Sequence, residues 1–181
     1  ADYDPIKFRV LIVKLAAVGD VLRTTSLVPA LKKKYARAEI TWITKSSAAP
    51  LLEDNSSIDR VLVTEGEYVA YLQNEEFDLG ICLDADSHSA TIHSVARCKE
   101  RRGFICDAAG HVQPVDERAH EWWLMGLNDQ MKKANRRTYQ EIMYEICGLD
   151  LPTAPPQLSL NGSLEQFAKN FLQKNSSLKN F

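Results

Sequence analysis

The chain has 181 residues, 45% hydrophobic and 25% charged, with a formal net charge of -2. That length suits one well-packed domain and is short for two. The charge balance excludes a general attraction to nucleic acid or to an anionic membrane. No apolar run reaches the ~18 residues of a membrane span, and the start, Ala1 to Lys7, lacks the apolar core of a signal peptide. The four cysteines, Cys82, Cys98, Cys106 and Cys147, form no CxxC pair and read as reduced structural thiols of a cytoplasmic protein. A zinc site from Cys98, Cys106 and His111 would lack metal-ligand spacing.

In chain order, Phe8 to Leu15 centres on the continuous apolar run Val10-Leu11-Ile12-Val13, the pattern of a strand buried on both faces. A short loop, Ala16 to Gly19, precedes a helical pattern that Asp20 opens and that runs to Tyr35. Lys32-Lys33-Lys34 falls in its last turn, where cations complement the helix dipole. Pro29 is expected to kink this helix or end its first segment. Glu39 to Thr44 reads as a strand, Ala48 to Glu53 as a short helix capped by Ser46-Ser47, Arg60 to Val63 as a short strand and Glu67 to Gln73 as a helix. Asp78 to Leu83 is a further buried strand, Ser89 to Arg97 a helix and Arg102 to Ile105 a short strand. Lys99-Glu100-Arg101-Arg102, mixed in sign, reads as a solvated turn. Helices follow at Ala119 to Leu127 and at Thr138 to Cys147, the latter ended by Gly148. Leu151 to Pro156 is a proline-rich breaker, and Leu164 to Gln173 a last helix. The alternation predicts an α/β fold: a Rossmann-like, mostly parallel open sheet with helices on both faces and the first strand near its centre.

In such sheets ligands bind beyond the carboxyl ends of the strands. Two loops with useful chemistry fall there, Ala16 to Asp20 and Asp84 to His88. The first has one glycine before an acid and lacks a dinucleotide fingerprint, but its small residues let a ligand approach the backbone. Asp20 has two readings on spacing alone, a helix N-cap and a functional carboxylate. Asp84-Ala85-Asp86 has the look of a DxD metal motif, against which stand helix capping and hydrogen bonding to ligand hydroxyls. His88 and His93 do not share a helical face and read as surface or capping residues. Lys45 stands on the same rim, where it would be a solvated loop lysine or a contact for an anionic ligand. Trp122 and Trp123 are spaced as partial helix core, with stacking against a ligand ring as the alternative.

From Arg9 to Leu62 the sequence resembles the opening of glycosyltransferase family 9, the ADP-heptose:lipopolysaccharide heptosyltransferases. The matching features are Gly19-Asp20 after the first strand, Thr24-Thr25, Pro29-Ala30-Leu31, Trp42, the small-residue stretch Ala48 to Leu52, and Asn55 with Ile58-Asp59-Arg60-Val61. A looser likeness continues through Asp78 to Ala90, Arg101 to Phe104 and Thr138 to Leu149. There are departures: Ala16 and Ala17 stand where many members carry hydroxyl residues, and Asp84 to His88 replaces a Gln-Gly type turn, so the acceptor is expected to differ.

The resemblance implies residues 1–156 as the acceptor-side, N-terminal half of a GT-B fold. Residues 157–181 would be a helical linker toward a donor-binding domain absent from this chain. It implies metal-independent, inverting transfer of heptose from ADP-heptose to a lipopolysaccharide core acceptor, with no cofactor. Asp20 would be the general base, and Gly19, Thr24, Lys45, Ser46, Asp84, Asp86 and His88 would contact the acceptor. The place of work would be the cytoplasm, with a peripheral contact at the inner face of the membrane. The reading from another class is a non-catalytic α/β module that binds a sugar or a nucleotide through the same loops.

Overall fold

The computed structural model describes residues 7–150, 154–160 and 162–175. Leu151 to Thr153, the first part of the breaker expected at Leu151 to Pro156, lie outside the described residues, as do Asn161 and the chain ends. Among the described residues six strands form one sheet in the order β3-β2-β1-β4-β5-β6. They are β1 (Phe8–Val13), β2 (Ala38–Thr44), β3 (Arg60–Val63), β4 (Glu76–Cys82), β5 (Arg97–Cys106) and β6 (Val112–Pro114). β1 to β5 pair in parallel, and only β6 pairs antiparallel, along Phe104 to Cys106. Val10 to Val13 are all fully buried. Successive strand residues point to opposite faces, so both faces of the sheet are covered, as the unbroken apolar run requires. The α/β class, the open parallel-rich sheet and the central place of β1 are as the sequence predicts.

The strand order decides where a ligand can sit. From β1 the chain steps outward to β2 and β3, then returns to lay β4 on the other side of β1. The loops that leave β1 and β4 therefore depart to opposite sides, and a crevice opens between them at the carboxyl edge.

The helices are α1 (Val18–Thr24), α2 (Leu27–Lys34), α3 (Tyr68–Asn74), α4 (Ser87–Val95), α5 (Glu117–Leu127), α6 (Asp129–Ala134), α7 (Tyr139–Ile146) and α8 (Gly162–Lys174). The helix expected from Asp20 to Tyr35 is two helices, broken at Thr25 and Ser26 ahead of Pro29. Proline has no N–H for the Thr25 carbonyl, which instead accepts from Val28 at 3.1 Å. The Ser26 carbonyl takes the Tyr144 hydroxyl at 2.6 Å. A buried side chain of α7 thus satisfies the break.

Three local expectations need correction. The helix at Ala48 to Glu53 is a single 3-10 turn, Ala49–Leu51, without a side-chain cap. Ser46 does not cap it, because its N–H and hydroxyl both bond Glu65, at 3.2 and 3.1 Å. Lys99 to Arg102 is not a turn but the middle of β5, where Lys99 pairs with Asp78 of β4 at 2.8 Å. His93 is not a surface residue: it is fully buried.

His93 sits on α4 with Nδ1 2.7 Å from the Phe104 carbonyl, which fixes the proton on that nitrogen. Burial pushes its pKa down to about 4. A histidine held neutral in the fold and free to charge when unfolded makes the unfolded state bind more protons between its ordinary value and 4. Stability is complete above about pH 6.5 and should fall by up to ~1.4 kcal/mol per pH unit as pH drops toward 4. Urea unfolding at pH 7 and pH 4.5 should show His93→Gln losing less stability across that range than the wild type. Equal losses would mean that His93 titrates normally.

Gly103 ties β5 to β4. Its φ is +84°, and a Cβ there would lie 1.7 Å from the Cys82 carbonyl oxygen. Backbone cannot yield as a flexible side chain would, so Gly103→Ala should cost at least ~1–3 kcal/mol by thermal melting. A melting temperature equal to the wild type would show that β5 can shift freely.

Candidate active site

The site grows from the end of β1. Lys14 follows the last strand residue, and its N–H still reaches Ile43 of β2 at 3.0 Å. Its side chain points inward, 2% exposed, and pairs with Asp84, itself 6% exposed, just past β4. Burial alone would lower the Lys14 pKa, but the Asp84 carboxylate, with the nearby Tyr139, outweighs it and holds the ammonium above its ordinary value. The second oxygen of Asp84 accepts the N–H groups of Leu15 at 2.6 Å and Ala16 at 3.1 Å. Asp84 is thereby engaged entirely with the start of the loop that leads to Asp20. It faces the protein interior, where a sugar hydroxyl would have to displace existing bonds.

Ala17, with no side-chain bond, caps α1. Asp20 is the third helical residue and is not an N-cap, which corrects one of its two readings. Its carboxylate is about a third exposed and pairs with Arg23 one turn on. Gly19 is exposed, and a Cβ there would meet nothing within 4 Å. The space above this turn is therefore open to a ligand. Thr24 is buried; its hydroxyl donates to the Asp20 carbonyl at 2.8 Å, so the Tyr139 hydroxyl, 2.9 Å away, donates to Thr24.

Tyr139, the first residue of α7, is fixed from several sides. Thr138 and Glu141 form a reciprocal capping box behind it. Trp122 meets its ring edge-on at 5.9 Å, and the Arg23 guanidinium lies 4.1 Å from its centroid. Burial raises its pKa, against the Lys14 ammonium, so the phenol stays protonated at neutral pH. A groove of about 350 Å³ opens here, lined by Arg23, Ala85, Trp122, Lys132, Asn135 and Tyr139 among others. Trp122 thus presents to the groove as well as to the core, while Trp123 stacks near His120.

The remaining predicted residues lie on the same edge. Asp86 caps α4, accepting from the Ser89 N–H at 3.0 Å and hydroxyl at 2.7 Å. Asp84 and Asp86 therefore face different partners and do not converge as a DxD pair. His88 is exposed on the first turn of α4. Lys45 is exposed at the end of β2, one strand outward, beside the Ser46–Glu65 contact. Among the described residues no three His, Cys, Asp or Glu side chains converge to hold a metal ion. Sequence reasoning missed Lys14, Arg23 and Tyr139. Arg23 had a local signal, one helical turn from Asp20, but nothing in the sequence near Lys14 or Tyr139 announces their partners.

The architecture is a Rossmann-like, mostly parallel open α/β sheet, and solved structures share it. A glycosyl transferase family 9 protein from Veillonella parvula superposes with TM-score 0.62 at 16% identity, over 92% of this chain and 49% of its own. The ADP-heptose LPS heptosyltransferase II of E. coli gives 0.56 at 18% identity, over 91% and 50%. E. coli heptosyltransferase WaaC with ADP-2-deoxy-2-fluoro heptose gives 0.52 at 15% identity, over 82% and 51%. The chain thus spans about half the length of the structures it matches. No family model and no curated protein matches the sequence. Among the described residues no helix is long and apolar enough to cross a membrane.

Proposed function

We propose that this chain is the acceptor-side half of an inverting, metal-independent glycosyltransferase, with Asp20 as the base. Asp20 removes the proton from an acceptor hydroxyl as that oxygen attacks the anomeric carbon of a nucleotide sugar. The observation that carries the reading is the place of Asp20. It is partly exposed on an open turn after the central strand, at the switch point of a sheet shared with heptosyltransferases. A carboxylate suits the task because proton transfer need only keep pace with bond formation in the transition state.

The donor is an ADP-sugar of the heptose type and the acceptor a lipopolysaccharide core saccharide, on the strength of the sequence resemblance and of the ligands named for the matched structures. Residues 1–156 form the acceptor domain, and 157–181 lead toward a second, donor-binding domain. The leaving diphosphate needs fixed donors or cations beside it, and in this plan those belong to that second domain. Gly19 and the groove beside Trp122 and Tyr139 receive the acceptor, with Thr24 behind them as support. Lys45, Ser46, Asp86 and His88 line the outer rim, and Asp84 acts through the loop it holds. The work is cytoplasmic, with a peripheral contact at the inner face of the membrane.

The test is a transfer assay of the full-length protein with ADP-heptose and a lipopolysaccharide core saccharide, with and without EDTA. The anomeric configuration of the product is read by NMR. EDTA-resistant transfer with inversion is the expected result. Binding of both ligands without any transfer would favour the non-catalytic sugar- or nucleotide-binding module instead.

A further inference from the structure

We propose that Arg23 is a positioning residue for Asp20: seated on the Tyr139 ring, its guanidinium holds the Asp20 carboxylate in the orientation from which it takes the acceptor proton. The inference rests on the role of Asp20 proposed above and adds a device that neither the sequence resemblance nor the fold comparison supplies.

The geometry forms a closed circuit. Arg23 Nη2 contacts Asp20 Oδ1 from one turn along α1. The same guanidinium lies 4.1 Å from the Tyr139 centroid, within cation–π range. The Tyr139 hydroxyl reaches Thr24 at 2.9 Å, and the Thr24 hydroxyl returns to the Asp20 carbonyl at 2.8 Å. Asp20 is therefore gripped at both ends, at its carboxylate through Arg23 and at its backbone through Thr24, with Tyr139 joining the two grips.

Each part needs the others. An exposed pair three residues apart on a helix is weak and mobile by itself, because both side chains have rotamer freedom to lose. The aromatic face removes that freedom from Arg23, whose planar fork is suited to bonding a carboxylate while stacking. Tyr139 can serve because it is fixed independently, by the capping box at the start of α7 and by the edge of Trp122. Arg23 and Tyr139 both line the groove, so the circuit stands at its wall and not in the interior. The packing of α7 on α1 thereby becomes a condition for catalysis. A misplacement of about 1 Å in such a group can cost ~10²-fold in rate.

The test uses the full-length protein with ADP-heptose and a core saccharide. Arg23 is about half exposed, so its variants should fold, which melting curves check. Arg23→Ala should lower kcat by up to ~10²-fold with little change in acceptor KM. Arg23→Lys, which keeps the charge but not the planar stacking face, should recover part of that loss. Tyr139→Leu should reproduce the kcat defect, and adding it to Arg23→Ala should cost little more. On an Asp20→Asn background Arg23→Ala should have no further effect, because nothing is left to position. A raised acceptor KM at unchanged kcat would overturn the proposal, since Arg23 would then be a plain substrate contact; so would losses that multiply on the Asp20→Asn background. An inactive Asp20→Asn enzyme beside a fully active Arg23→Ala enzyme sinks this inference alone. A fully active Asp20→Asn enzyme sinks the base assignment, and this inference with it.

Discussion

Replacing Asp20 by Asn should lower the turnover of the full-length enzyme by ~10²–10⁴-fold, the usual worth of a general base, while leaving its melting temperature nearly unchanged. The two halves of that expectation have different grounds. The amide is isosteric but cannot accept a proton at neutral pH, so the chemical step loses its base. Stability is spared because Asp20 is not the cap of α1; Ala17 holds that place through its backbone alone. What the fold loses is a half-exposed pair with Arg23, of a kind worth ~0–1 kcal/mol. Steady-state kinetics and a thermal melt on the same preparation decide the matter. Near-normal turnover would reduce Asp20 to a surface partner of Arg23 and end the base assignment.

Replacing Asp84 by Asn should have the largest effect on stability, ~3–5 kcal/mol, because it strands the Lys14 ammonium in the interior without its counter-charge. Both partners are almost wholly buried. The amide oxygen can still accept the N–H groups of Leu15 and Ala16, so the loss should come from the charge imbalance. The double variant Lys14→Met with Asp84→Asn separates the causes, since it removes both charges and keeps those acceptor bonds. It should be more stable than Asp84→Asn alone by chemical denaturation. If it is no more stable, the unpaired ammonium is not what matters. The pH dependence follows with a definite sign. The folded Lys14 pKa lies above the ordinary value, so its contribution is intact below the ordinary lysine range and disappears only as pH rises through the higher folded value.

Parts of this molecule are written in neighbouring residues. The runs at Val10 to Val13 and Leu79 to Leu83 announce buried parallel strands because a strand covered on both faces has no polar side to show. Arg60–Val63 runs over the same residues in the sequence reading and in the fold. Thr138 with Glu141 marks the start of α7, and Gly148, at φ +62°, marks its end, because capping chemistry is local. β5 was half hidden for the opposite reason. Its Lys99, Glu100, Arg101 and Arg102 look like a solvated turn, and they stay in a strand because each finds a partner there: Lys99 meets Glu76 and Asp78 of β4, Arg102 meets Glu100 and Asp116, and Arg101 donates to the Cys98 and Ala96 carbonyls. β6 and α6 are too short, and α6 too polar, for periodicity to reveal.

The sequence by itself determined the alternation of strands β1 to β5 with helices, the parallel sheet with β1 inside it, and the turn that carries Gly19 and Asp20 to its carboxyl edge. These follow from side-chain periodicity and backbone preference, which act over a few residues. Only the tertiary structure decided what surrounds Asp20. Lys14 meets Asp84 across 70 positions of sequence, and Thr24 meets Tyr139 across 115. Such meetings depend on the return of the chain beside β1 and on the docking of α7 against α1. The same packing buried His93 against the Phe104 carbonyl and turned Asp84 inward. Burial of a charge is stable only where its partner is already in place, and the partner's place is a property of the whole fold.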